Sequence, residues 1–138
     1  DDLMRYGSHA LSYRIVDRVF SQHARAFRSG VPGMMCYRDF VWFILSEEDK
    51  AHARSITFWF RCLDVLGTGS LVPQTLEPFY DEQLRRLECL NQEAVPFEDV
   101  MTQINDMVAP ERAGVFTLRD LRRNPRHASV LFNAMFNL

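Results

Sequence analysis

Apolar residues recur along this chain at intervals of three and four, the spacing that places them on one face of a helix. The first such stretch covers residues 8–28, where Leu11, Ile15 and Val19 share a face. Helices with one apolar face bury it against one another, so the pattern predicts an all-α fold. Six further helical stretches are predicted at residues 37–46, 55–63, 76–90, 96–108, 118–123 and 126–138.

The second stretch carries more apolar side chains than one helix face can hold. Its residues 40–45, Phe-Val-Trp-Phe-Ile-Leu, are apolar on all sides, which predicts either burial on more than one side or a docking surface. Trp42 and Phe43 lie in this stretch, and Trp59 lies in the next one. Because Trp is strongly enriched in interface hot spots, these three residues are the candidate partner-binding residues.

Three loops between the helices have the outline of calcium-binding EF-hand loops. In the central loop, residues 64–75, Gly69 stands at the sharp turn of position 6 and Leu71 at the apolar position 8. Residues 33–40 and 114–121 repeat the same tail, a Gly followed by an apolar residue and then a helix. Each loop follows one helical stretch and precedes another, so the helix-loop-helix unit occurs three times.

The repeat predicts a single EF-hand-like domain over residues 1–138. Its three degenerate hands cover about residues 8–46, 55–90 and 96–124, and a C-terminal helix follows at residues 126–138. Tripeptides around Met35, Leu71 and Phe116 look strand-like and predict minimal β pairing between the loops.

Most calcium ligands of the central loop are absent. Ca²⁺ takes about six to eight oxygens, several of them from carboxylates. Position 1 keeps Asp64, but position 3 is Leu66 and position 12 is Thr75. The weak metal candidates that remain are Asp64, Thr68 and Ser70. No cofactor is predicted, and Ca²⁺ binding at this loop is expected to be weak or absent.

The first and third loops end on Asp39 and Asp120 at position 12. A capping box explains these acids without an ion, because a carboxylate there can accept backbone N–H groups at the start of a helix. Thr117-x-x-Asp120 fits that motif, and Cys36-x-x-Asp39 is a weaker version of it.

Composition and charge narrow the function classes. With 138 residues and a net charge of −2, the chain is about one domain long and has no charge excess for nucleic acid or anionic membranes. Its three cysteines, which form no Cys-x-x-Cys pair, indicate a reduced, intracellular protein. No apolar run reaches the roughly 20 residues of a membrane span. The chain starts at Asp1 rather than Met, so we expect a piece of a longer protein.

The sequence carries no catalytic motif. Its four histidines lack metal-ligand spacing, and a nucleophile elbow, a phosphate loop and a complete dinucleotide fingerprint are all missing. We therefore predict no catalytic residues. The basic run that includes Arg119, Arg122 and Arg123 suits either an acidic partner or the dipole at a helix end, and it is the second docking candidate.

Six unusual sequence motifs are distributed along the chain, and the most distinctive is Phe-Val-Trp-Phe at residues 40–43. The motifs lie at residues 6–14, 37–50, 55–64, 96–99, 118–121 and 136–138. They resemble the EF-hand-containing regulatory B'' subunits of serine/threonine protein phosphatase 2A. In that family the loop that matches residues 64–75 is acidic and calcium-competent, and this sequence departs from it at Leu66, Thr68 and Thr75.

The resemblance implies a function that the residues alone do not. It implies a non-catalytic regulatory subunit that docks the phosphatase scaffold and catalytic subunits and directs the choice of phosphoprotein substrates. From the cysteines and the net charge we predict an intracellular location, in the cytoplasm and with the nucleus as a second compartment, and no nucleic-acid or membrane partner. The alternative is a stand-alone EF-hand calcium sensor or adaptor that binds target helices, which requires ion-driven opening of the helices.

Overall fold

Seven α-helices and one two-stranded sheet form the part of the chain that the computed structural model describes, residues 2–8 and 10–137. The helices are α1 (Tyr13–Phe20), α2 (Tyr37–Glu48), α3 (Ala53–Leu63), α4 (Pro73–Cys89), α5 (Phe97–Val108), α6 (Leu118–Arg123) and α7 (Pro125–Phe136). The strands are β1 (Ser70–Leu71) and β2 (Phe116–Thr117), and a 3-10 helix, Leu3–Ser8, precedes α1. The predicted fold class, all-α with minimal β pairing between loops, is confirmed. Within the described residues, no helix is long and apolar enough to cross a membrane.

The first helix is shorter than the predicted stretch, residues 8–28. The hydroxyl of Ser12 caps α1 by accepting a backbone N–H of the first turn at 3.3 Å. The helix ends at Phe20, because Gln22 adopts a left-handed backbone with φ of 62°. The Gln22 side chain then accepts the N–H of Phe27 at 2.7 Å. Phe27 packs back on Phe20, with ring centroids 5.2 Å apart, and so continues the apolar pattern without continuing the helix.

The sheet joins the central loop to the third loop. Strands β1 and β2 run antiparallel, with Leu71 opposite Phe116. The strand predicted around Met35 is not formed, which corrects the sequence interpretation. The backbone N–H of Cys36 donates instead to the carboxylate of Asp39 at 3.0 Å, and the first loop is closed by a side chain.

Helix α3 lies at the centre of the core and packs against α1, α2, α6 and α7. Its Trp59 is fully buried, with a ring centroid 4.6 Å from that of Phe136 and 4.8 Å from that of Phe58. The Phe43 ring lies 6.1 Å away in an edge-on arrangement. The indole Nε1–H donates to the carbonyl oxygen of Ser46 at 2.8 Å. One side chain therefore connects α2, α3 and α7.

Buried apolar side chains from all seven helices join one cluster. Ile15 of α1, Phe79 of α4, Ile104 of α5 and Leu121 of α6 are all buried in it. Because each helix pair alone leaves an apolar face uncovered, the three predicted units share this core and support one another.

Candidate functional site

The one carboxylate of the central loop, that of Asp64, accepts hydrogen bonds from backbone N–H groups of the same loop. Oδ1 of Asp64 accepts the N–H of Thr68 at 3.1 Å, and Oδ2 accepts the N–H of Gly69 at 2.9 Å. Gly69 has a φ of 82°, a left-handed conformation that favours glycine. The loop therefore holds the EF-hand turn through hydrogen bonds within the chain.

The other ligand positions of the central loop offer few oxygens to a cation. The Leu66 side chain is 75% exposed and contributes none. The hydroxyl of Thr68 donates to the carbonyl of Ser70 at 3.1 Å, so the structure brings the weak candidates Asp64, Thr68 and Ser70 together in one hydrogen-bonded turn. Within residues 2–8 and 10–137 no three His, Cys, Asp or Glu side chains are grouped to hold a metal ion.

The first loop is closed by the carboxylate of Asp39, which is 1% exposed. It accepts the N–H of Arg28 at 2.9 Å and the N–H of Cys36 at 3.0 Å. The guanidinium of Arg25 forms an ion pair with it at 3.2 Å. Burial opposes ionisation, but these donors outweigh it and hold the pKa of Asp39 well below its usual range. The acid at position 12 thus organises the loop from its first position to its last.

The third loop is closed in a related way. Oδ2 of Asp120 accepts the N–H of Thr117, and the Thr117 hydroxyl accepts the N–H of Asp120, both at 3.2 Å. The predicted capping box is confirmed. The sequence interpretation missed Asn105, whose side-chain oxygen accepts the N–H of Gly114 at 2.7 Å. Its partner lies beyond the end of α5, so helical spacing gave no signal for this contact.

Arg18 of α1 is a second residue that sequence reasoning missed. Its Nε donates to the carbonyl of Cys62 at 2.7 Å, and its Nη2 donates to the carbonyls of Arg61 at 3.3 Å and Asp64 at 3.4 Å. These are the carbonyls at the end of α3, where a cation is favoured by the helix dipole. Arg18 also places a positive charge at the entrance of the central loop.

The structure separates the three partner-binding candidates. Phe43 is 1% exposed and Trp59 is 0% exposed, so the docking interpretation is corrected for both, because core packing uses their whole surface. Trp42 is half-buried, and its ring packs edge-on against Phe58 at 5.2 Å. The guanidinium of Arg25 lies over the same ring at 4.8 Å from its centroid. Trp42 also lines two surface cavities of about 180 and 380 Å³, and it stays the candidate of the three.

These features define a class of protein. Helix-loop-helix units pack around one core, and their loops are closed by hydrogen bonds from their own backbone and side chains. The molecule is a degenerate EF-hand domain, and its accessible features include surface cavities around Trp42 and the exposed arginines of α3 and α6.

Comparison with known proteins shows what the chain is similar to. The chain is 50% identical over all 138 residues to the probable B''epsilon regulatory protein of serine/threonine protein phosphatase 2A from Arabidopsis thaliana, of which it covers 26%. It is 46% identical over 139 aligned positions to the human B''-beta regulatory protein of the same phosphatase, of which it covers 24%. In a solved PP2A PR70 holoenzyme, one chain matches 99% of this chain with a TM-score of 0.88 and 45% identity, and 49% of that chain is covered. No family model matches the chain.

The chain therefore matches the B'' regulatory subunits of protein phosphatase 2A along its whole length, and the resemblance indicated by its motifs is confirmed. It spans about a quarter of the length of these curated relatives.

Proposed function

We propose that this chain is a non-catalytic regulatory segment that docks the scaffold and catalytic subunits of protein phosphatase 2A and directs the choice of phosphoprotein substrates. The observation that carries the proposal is that all of this chain matches about a quarter of proteins named as regulatory B'' subunits, joined to its match with one chain of a PP2A holoenzyme. The alternative, a stand-alone calcium sensor, needs loops that open on binding an ion. The single carboxylate of the central loop argues against it.

Trp42 is the residue through which assembly is tested. Replacing it with Ala (Trp42→Ala) should weaken binding of the chain to the scaffold and catalytic subunits by about 2 kcal/mol, roughly thirtyfold, because a partly exposed Trp is a typical hot spot. Binding is measured by calorimetry with purified subunits. Urea unfolding of the variant establishes that it is folded.

The matched control is Tyr37→Ala, which removes a highly exposed aromatic ring from the same helix outside both Trp42 cavities. It should assemble normally. Normal assembly of the Trp42 variant would move the docking face elsewhere, with Arg119, Arg122 and Arg123 next. If the unaltered chain binds neither the scaffold nor the catalytic subunit, the proposed function itself is contradicted.

We also propose that Ca²⁺ binding at the central loop is weak or absent. Titration calorimetry should give a dissociation constant weaker than about 10⁻⁵ M, the limit of the sensor range. Supplying the missing ligands with Leu66→Asp, Thr68→Asp and Thr75→Glu together should tighten binding at least about tenfold, because charge count sets EF-hand affinity.

The matched control for calcium carries Leu66→Asn, Thr68→Asn and Thr75→Gln, which have the same shapes without the charges. It should bind Ca²⁺ no better than the unaltered chain. Equal affinities for the two triple variants would contradict the loss of carboxylates as the cause, and a tight site in the unaltered loop would contradict the proposal directly.

An intracellular location, in the cytoplasm and with the nucleus as a second compartment, is proposed as well. The three free cysteines support it, because thiols stay reduced in the cytosol. Microscopy of a tagged chain tests this location, and secretion of the tagged chain would contradict it.

A further inference from the structure

We propose that the larger of the two cavities lined by Trp42, the arginine cavity, binds a phosphorylated Ser or Thr side chain in a peptide segment of a partner protein. The arginine cavity is the surface cavity of about 380 Å³ lined by Arg25, Arg54, Arg61 and Arg122 over the aromatic pair Trp42 and Phe58. The choice of a phosphoprotein as occupant rests on the proposed function. The site itself is argued from its charges and shape.

Three different parts of the chain carry the four arginines of the cavity. Arg54 and Arg61 stand seven positions apart on α3, which places them on one face of that helix with Phe58 between them. Arg122 comes from α6, and its Nη2 donates to the hydroxyl of Thr57 at 2.6 Å. Arg25 comes from the connection after α1. Because α3 and α6 share the core and Arg25 is held by its ion pair with Asp39, these parts of the chain bring the four arginines to one cavity.

The cavity is a local concentration of positive charge on a chain whose net charge is −2. No carboxylate stands among the described residues that line it. In the described part of the chain, Arg54 and Arg61 are exposed and make no ion pair, while Arg25 pairs with Asp39 behind the cavity. Like charges repel, so gathering the three arginines that make no ion pair within the described residues, Arg54, Arg61 and Arg122, is unfavourable, and a bound anion would offset that repulsion.

The shape and chemistry favour phosphate over a carboxylate. A phosphoryl group carries close to two negative charges and three acceptor oxygens, so several guanidinium forks can bind it at once. A carboxylate has two oxygens and one charge, which two arginines already satisfy. The ring of Trp42, held edge-on against Phe58 at 5.2 Å, gives the neighbouring apolar residues of a peptide a surface to pack on.

The test uses the chain alone, without phosphatase subunits, so its failure is distinguishable from a failure of the proposed function. The probe is a short fluorescein-labelled peptide with one phosphoserine between leucines, compared by anisotropy with matched peptides that carry Ser or Glu at that place. At about 0.15 M salt, where long-range attraction is largely screened, the phosphoserine peptide should bind at least about tenfold tighter than either.

The variant is the double substitution Arg54→Ala and Arg61→Ala, which should weaken binding of the phosphoserine peptide at least about tenfold. Its matched control is Arg85→Ala and Arg126→Ala, which removes two exposed arginines that do not line the cavity. Equal weakening by the two double variants would overturn the site in favour of unspecific attraction. Equal binding of the Glu peptide would overturn the preference for phosphate.

A second measurement needs no variant. The chain has two Trp residues, so its nitrogen-15 spectrum has two indole N–H signals. Added phosphoserine peptide should shift the signal of Trp42, which lines the cavity, and leave that of Trp59, which is buried and bonded to Ser46. Binding that leaves the Trp42 signal in place would overturn the location, and absence of binding up to about 1 mM peptide, the weakest affinity of interest, would overturn the proposal.

Discussion

Replacing Trp59 with Ala should lower the free energy of unfolding by about 4 kcal/mol, the usual cost of removing a fully buried large aromatic ring. The ring contacts aromatic side chains from α2, α3 and α7, and no single neighbour can move into the space it leaves. Its indole N–H also satisfies the carbonyl of Ser46, and that buried acceptor would lose its partner. Urea unfolding followed by circular dichroism measures the change.

Two further variants keep the Trp59 prediction testable if the Ala variant does not fold. Trp59→Phe keeps most of the ring and removes only the donor and part of the volume, so it should cost less, about 1 to 3 kcal/mol. Leu45→Ala shortens a side chain of α2 that is 64% exposed, and it should change stability by less than about 0.5 kcal/mol. A Trp59→Ala loss as small as that of Leu45→Ala would contradict the central place of Trp59 in the core.

Residues 40–45 of α2, which are apolar on all sides, show what the sequence pattern could predict and what it could not. The pattern predicted burial on more than one side or a docking surface, and the structure buries only part of the segment. Phe43 faces the core, whereas Trp42 is half-buried in the cavities and Leu45 is exposed. Periodicity identified the excess of apolar residues, but the position of each depended on where α3 and α7 lie, which local spacing does not specify.

Motifs of short range were predictable and contacts of long range were not. The capping box formed by Thr117 and Asp120 was predictable because its two residues are only three positions apart, and the structure contains it. Arg18 reaches carbonyls more than forty residues away, and such a contact has no sequence signal because it depends on how α1 packs on α3. The end of α1 was missed for a related reason, since Phe27 keeps the apolar period through tertiary packing while Gln22 turns the backbone.

The closed first loop links the degenerate EF-hand to the arginine cavity. Arg25 pairs with Asp39 and also lies over the ring of Trp42. The same guanidinium therefore joins the acid that closes the loop to the aromatic surface that lines the cavity. The acid at position 12 of the first loop is paired with a side-chain cation, so we expect the geometry around Trp42 to be insensitive to calcium.

Asp39→Asn tests that link, and it should destabilise the fold by about 3 kcal/mol. The substitution keeps the shape of the side chain, but it removes the charge that Arg25 pairs with and turns an amide donor toward other donors. Removing one partner of a buried pair is typically this costly. The control is Asp106→Asn on α5, where the carboxylate is exposed, and its stability should stay within about 0.5 kcal/mol of the unaltered chain.

The pH dependence of stability separates the charge of Asp39 from its shape. The folded-state pKa of Asp39 lies below the ordinary value of about 4, so its contribution is fully present above about pH 4 and is lost as the pH falls from there through the folded-state pKa. The unaltered chain should therefore lose more stability between about pH 5 and pH 2 than the Asp39→Asn variant does. Parallel curves for the two proteins, measured by urea unfolding at each pH, would show that the carboxylate charge does not hold the first loop closed.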